Sequence, residues 1–129
     1  MRGIKIYNII NGVFYTLYGL WGMILPQWIL SFFDIQTYGV YALHNIRAMW
    51  AAIALVGVLT LWKARSDSAV MVAMLMALVV GAFAVGRLIG LVVDGMDSGS
   101  AATYYEITFE LIWMVIGLFL AKRAVKRAS

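Results

Sequence analysis

The chain contains no cysteine, one histidine, one proline and few charges. Without cysteine there is no disulfide, no iron–sulfur ligation and no thiol nucleophile. A single histidine, His44, excludes a multi-histidine metal site and paired haem ligands. Gly-rich phosphate loops, nucleophile elbows and zinc signatures are missing as well. No metal and no cofactor is therefore expected. Charged residues make up 12% of the 129 positions, where about 25% is ordinary. Hydrophobic residues make up 64%, against a usual share of about 45–50%. A soluble domain of this size has too much surface to hide so much apolar side chain.

What the sequence does have is long apolar runs. Four of them, over 6–25, 41–62, 69–93 and 103–121, come near the ~20 residues that a helix needs to cross a bilayer. They are too long, and alternate too little, for barrel strands. The expected fold is all-α: a four-helix transmembrane bundle forming one integral membrane domain over 1–129. The first run follows Arg2 and Lys5 and resembles a secretory signal. Its length and the lack of a small-residue cleavage site mark it as a span instead. Pro26 ends it and suits the first position of a new helix. The segment 27–33, with Trp28, Phe32 and Phe33, is too short to span and suits the membrane interface. A loop is expected over 34–39, and Ser68 is placed to cap the third span.

The net charge is +4. The cations sit at span ends, which points to membrane orientation and not to nucleic acid. The N-terminus, the Lys63/Arg65 turn and the tail with Lys122, Arg123, Lys126 and Arg127 are basic. The other two connections carry Asp34, Asp94 and Asp97 and no lysine or arginine. Four spans with both termini in the cytoplasm satisfy every segment at once.

Polar residues then gather at the outer side. Arg47, Arg87 and Glu110 each lie about 9 Å below the outer boundary at ~1.5 Å rise per residue. His44 and Glu106 are shallower, and Asp94 is at the edge. His44 and Arg47 share a face, as do Glu106 and Glu110, and as do Arg87, Gly90 and Asp94. Glu110 continues through Trp113 and Gly117 on one stripe. A carboxylate inside a membrane must face protein, a partner charge or water.

Two readings compete for this cluster. In the first it is a ligand site open to the outer leaflet. Glu110, with Glu106 or His44 assisting, acts as acid or base. Arg47 and Arg87 hold an anionic or carbonyl group, with Asn45 and Asp94 beside them. Tyr15, Tyr18, Trp50 and Trp113 line the apolar part. The ligand is then small and lipophilic or amphipathic, and isomerase, hydratase or cyclase chemistry fits. In the second the Arg/Glu network only specifies helix packing, and the chain is an accessory subunit of a larger membrane complex or a homo-oligomer. Individual residues also have plain roles. Thr103-x-x-Glu106 fits a capping box, the arginines can snorkel, and His44 can be an interfacial polar residue. Gly86-x-x-x-Gly90 hints at a helix contact. A proton-coupled transporter is poorly supplied, since the inner half offers mainly Asn8 and Asn11.

Asn45-Ile46-Arg47-Ala48, Gly86-Arg87-Leu88-Ile89-Gly90 running into Asp94-Gly95, and the acids Glu106 and Glu110 form a recognisable set. Over nearly its full length the chain resembles a widespread bacterial family of small four-helix membrane proteins labelled a domain of unknown function. Met49-Trp50 stand where members often carry small residues. The resemblance implies the four-helix fold and a bacterial cytoplasmic membrane, and it implies no established activity. An architectural likeness without a shared motif links the chain to the sterol-isomerase and emopamil-binding group.

Overall fold

Sustained apolar sequence with one proline becomes almost continuous helix in the computed structural model, which describes residues 1–32 and 40–128. The loop expected over 34–39, with Asp34, lies outside the described residues, as does Phe33. The helices are α1 (Arg2–Ile24), α2 (Pro26–Phe32), α3 (Val40–Lys63), α4 (Ala69–Asp94) and α5 (Ala101–Ala128), with a short 3-10 turn at Met96–Ser98. No strand occurs among the described residues. Leu43–Lys63 of α3, α4 and Ala101–Lys126 of α5 are long and apolar enough to cross a membrane.

α1 reaches that mark only together with α2. Its asparagines, glycines and tyrosine hydroxyls dilute the apolar character of its 23 residues. The two helices bend by 109° at their break. Pro26 supplies no N–H to the turn before it, so the α1 hydrogen-bond ladder stops there. α2 buries Pro26 and Ile29 and exposes Trp28 and Phe32. α2 is thus a short helix turned sharply from α1, with Trp28 and Phe32 on its open face.

Helix limits differ from the apolar runs at both ends of the chain. α1 starts at Arg2 and not at Ile6, and α5 runs past Ala121 to Ala128. Hydropathy marks where lipid can lie, whereas backbone hydrogen bonding continues through polar residues. Lys122, Arg123 and Lys126 also suit the negative end of the α5 dipole. Ser68 does occupy the N-cap position of α4, but without a side-chain cap bond.

The chain packs as two compact units, Asn8–Ser66 and Met1–Tyr7 with Asp67–Ser129. In the first, α1 and α3 run antiparallel at very short range. Gly12 faces Leu61, Gly57 faces Tyr15 and Thr16, Gly19 faces Ala54, and Gly22 faces the Trp50 ring. At Gly19 and Gly57 the neighbour is backbone, so no side chain fits between the helices. Small residues of this kind let helices associate in lipid, where no hydrophobic force drives them together.

The second unit is built on the α4–α5 hairpin. Gly81 receives the Met114 side chain, and Gly117 lies beneath the Tyr7 ring and beside Ala77. Tyr7 is buried and stacks on Trp113 at 5.1 Å between ring centres. Its hydroxyl donates to the Trp113 carbonyl at 3.3 Å. Such aromatic pairs contribute about 0.5–1.5 kcal/mol beyond their buried area. Gly3 meets Leu120. The start of α1, the first turns of α4 and the tail of α5 therefore share one end of this unit.

Candidate functional site: an Arg87–Glu106–Glu110 cluster

The tight connection from α4 to α5 sets the register of the site. Gly95 adopts a φ of 97°, a conformation that glycine takes at little cost. The Ser98 hydroxyl and backbone N–H both donate to the Gly95 carbonyl, at 2.5 and 3.0 Å. The Tyr104 hydroxyl reaches back to the Met96 carbonyl at 2.7 Å. α5 is then capped by Ser100 and Thr103. The Thr103 N–H donates to Ser100 Oγ, and the Ser100 N–H donates to Thr103 Oγ1. This is a capping box three residues earlier than the Thr103–Glu106 pattern in the sequence. Glu106 is thereby released from capping and stands on the second turn of α5.

One turn separates Glu106 from Glu110, so both face α4, and Arg87 meets both. Its Nη1 lies 3.2 Å from Glu106 Oε2. Its Nη2 lies 3.1 Å from Glu110 Oε1, and its Nε donates to both Glu110 oxygens at 3.3 Å. One side of the guanidinium fork thus grips Glu110 and its far nitrogen holds Glu106. The Arg87 and Glu106 side chains are 36% and 31% exposed, against 13% for Glu110. Glu110 is the enclosed member and Glu106 the accessible one. With both acids ionised, one cation against two carboxylates leaves a single negative charge over. Asp94 is exposed at the last residue of α4, about two turns beyond Arg87. Trp113 continues the α5 stripe one turn below Glu110 and carries the contacts with Tyr7.

Arg47, His44, Asn45, Tyr15, Tyr18 and Trp50 belong to the Asn8–Ser66 unit. Arg47 Nη1 donates to the carbonyls of Met23 and Ile24 at 2.7 and 3.0 Å. These are the last carbonyls of α1, which the bend at Pro26 leaves without helical donors. Arg47 acts there as a C-terminal cap, with its charge at the negative end of the α1 dipole. His44 and Asn45 are exposed on the early turns of α3. Tyr18 packs edge-on against Trp50 at 4.3 Å, and Tyr15 is buried.

Two roles were readable only in part. The Arg47 cap follows from the helix break at Pro26, which the sequence signals, but the donor is 21 residues further on. No local sequence signal marks Tyr7, because its packing depends on the bare Gly117 surface opposite.

A profile of the DUF4345 family, described as a domain of unknown function, matches residues 4–121. The chain belongs to this family. The DUF4345 match takes in Tyr7, Arg47, Arg87, Glu106 and Glu110. It ends where the basic tail of α5 begins. No curated protein and no solved structure matches the chain.

Proposed function

We propose that this DUF4345 protein is a four-span protein of the bacterial cytoplasmic membrane. Its Arg87–Glu106–Glu110 cluster takes the polar end of a small lipophilic or amphipathic molecule. The observation that carries this reading is one arginine held against two carboxyl groups, which leaves one negative charge over when both acids are ionised. Hydrocarbon does not solvate it, so a proton or a hydrogen-donating group must meet it. Arg87 is already engaged by two carboxylates, which disfavours an anionic ligand and favours a hydroxyl, an amine or another donor. Glu106, the more accessible acid, exchanges the proton. Glu110 holds Arg87 in place, and Arg87 offsets the charge that shifts during acid–base chemistry.

The four-span topology draws support from the shared end of the α1 start, the α4 start and the α5 tail, where the basic residues collect. A reporter active only in the periplasm, fused after Arg127, is expected to stay silent. A strong signal would overturn this orientation.

The ligand reading is tested by native mass spectrometry of protein extracted gently from its own membrane. A reproducible small adduct is expected, and Glu110→Gln should lose it while the protein stays folded. An adduct that persists in Glu110→Gln would move the binding site elsewhere.

A second reading, an accessory subunit of a larger complex, is favoured by one observation. A methyl group added at Gly86 would meet nothing within 4 Å, and one at Gly90 would approach only the Asp94 carboxylate. The Gly86-x-x-x-Gly90 stripe is thus unused among the described residues. Recovery only in a fixed-stoichiometry assembly, without an adduct, would support this second reading.

A further inference from the structure

The charges around the Arg87–Glu106–Glu110 cluster narrow what its ligand can be. From Ala69 to Ala121 the only cation is Arg87, while Asp94, Asp97, Glu106 and Glu110 are acids. Arg87 is already committed: its Nε and Nη2 bond Glu110, and its Nη1 lies against Glu106 Oε2. Glu106 Oε1 accepts no hydrogen bond among the described residues, and Glu106 is the more exposed of the two acids. There is also room beside the cluster. Gly90 lies one turn from Arg87 on the same face of α4, and a methyl group there would approach only the Asp94 carboxylate, at 3.9 Å. Further along α5, Phe109 and Ile112 follow Glu106 at helical spacing and are both exposed.

We infer that the cluster takes a protonated primary amine carried on an apolar chain. The ammonium donates to Glu106 Oε1 and occupies the space at Gly90, and the chain lies along Phe109 and Ile112. The inference rests on the ligand reading above and commits it to one charge class. An anion would meet acids and an arginine that is already engaged. A neutral alcohol would bond the open oxygen but leave the surplus charge that remains when both acids are ionised. An ammonium supplies the donor and the missing charge together, which makes the stronger, charge-assisted bond. The donor set does not suit a hard metal ion, which takes about six oxygens. Arg87 holds both Glu110 oxygens, and no three ligating side chains converge among the described residues.

The test is equilibrium binding to the full chain in phosphatidylcholine nanodiscs, with empty nanodiscs as the baseline. The probes are dodecylamine, which is protonated at neutral pH, and dodecanol, which shares its chain. Dodecylamine is expected to bind saturably, one per chain, about tenfold or more tighter than dodecanol. Glu106→Gln leaves Arg87 and Glu110 matched in charge and should erase that preference by weakening the amine alone. Gly90→Leu should weaken amine binding with every charge in place. Asp97→Asn, on the exposed turn, should change little. Equal binding of the two probes, lost in Glu110→Gln, would overturn the amine assignment and leave the ligand reading standing. A loss in Asp97→Asn as large as in Glu106→Gln would mean diffuse surface charge and would also overturn it. So would the absence of saturable amine binding. If the protein extracted from its own membrane then carries no adduct either, the ligand reading fails with it.

Discussion

Arg87→Met is expected to destabilise the α4–α5 hairpin more than any other single change to its polar residues. It would leave Glu106 and Glu110 facing each other across one turn without their cation. Removing one partner of a buried ion pair costs about 3–5 kcal/mol. The lower end, about 3 kcal/mol, applies here because the Arg87 side chain is about a third exposed. The same argument predicts rescue. Combining Arg87→Met with Glu106→Gln and Glu110→Gln leaves no charge to strand, so most of the stability should return. Unfolding in mixed micelles, followed by helical signal, measures the whole series, and coupling between the sites appears as non-additivity. Equal stability of Arg87→Met and the wild type would mean that the cluster is solvated from outside and holds nothing together.

The second large effect is expected in the other unit. Gly57→Leu should separate α1 from α3. A side chain at Gly57 would run into the Thr16 backbone nitrogen, and backbone cannot rotate away as a side chain can. Overpacking typically costs about 1–3 kcal/mol and occasionally more. With main chain as the obstacle, the upper end is expected. Gly86→Ala is the matching control, because nothing lies within 4 Å of the added methyl. There the helix propensity of alanine should stabilise α4 by up to about 1 kcal/mol. Both changes add side chain to a helical glycine, so opposite signs would isolate packing from propensity. Tolerance of Gly57→Leu without loss of melting temperature would show that α1 and α3 do not rely on this contact.

Composition and periodicity were enough to read helical class, the break at Pro26 and the polar positions of the last helix. These are local properties: apolar run length, a missing N–H, and a one-turn spacing that places Glu106 and Glu110 on one face. The membership of an uncharacterised family was also legible, through the residues around Arg87 and Asp94. Helix ends were less so. Ser100 and Thr103 cap α5 before the Thr103–Glu106 pattern can. Two overlapping motifs compete there, and the turn at Gly95 decides between them.

By itself the sequence determined that the chain is helical and apolar enough to lie in a membrane, that Pro26 interrupts its first helix, and that its acids in α5 need partners. Only the tertiary structure decided which partners they have. Arg47 and Arg87 look alike in composition, spacing and distance from a helix end. α4 faces α5 through Gly81 and Gly117, and this places Arg87 between the two acids. Arg47 lies on α3 beside the bent end of α1, where open carbonyls accept its guanidinium. A charge in a low-dielectric setting takes the nearest group that can satisfy it, and nearness across helices is set by which small residues let which backbones approach.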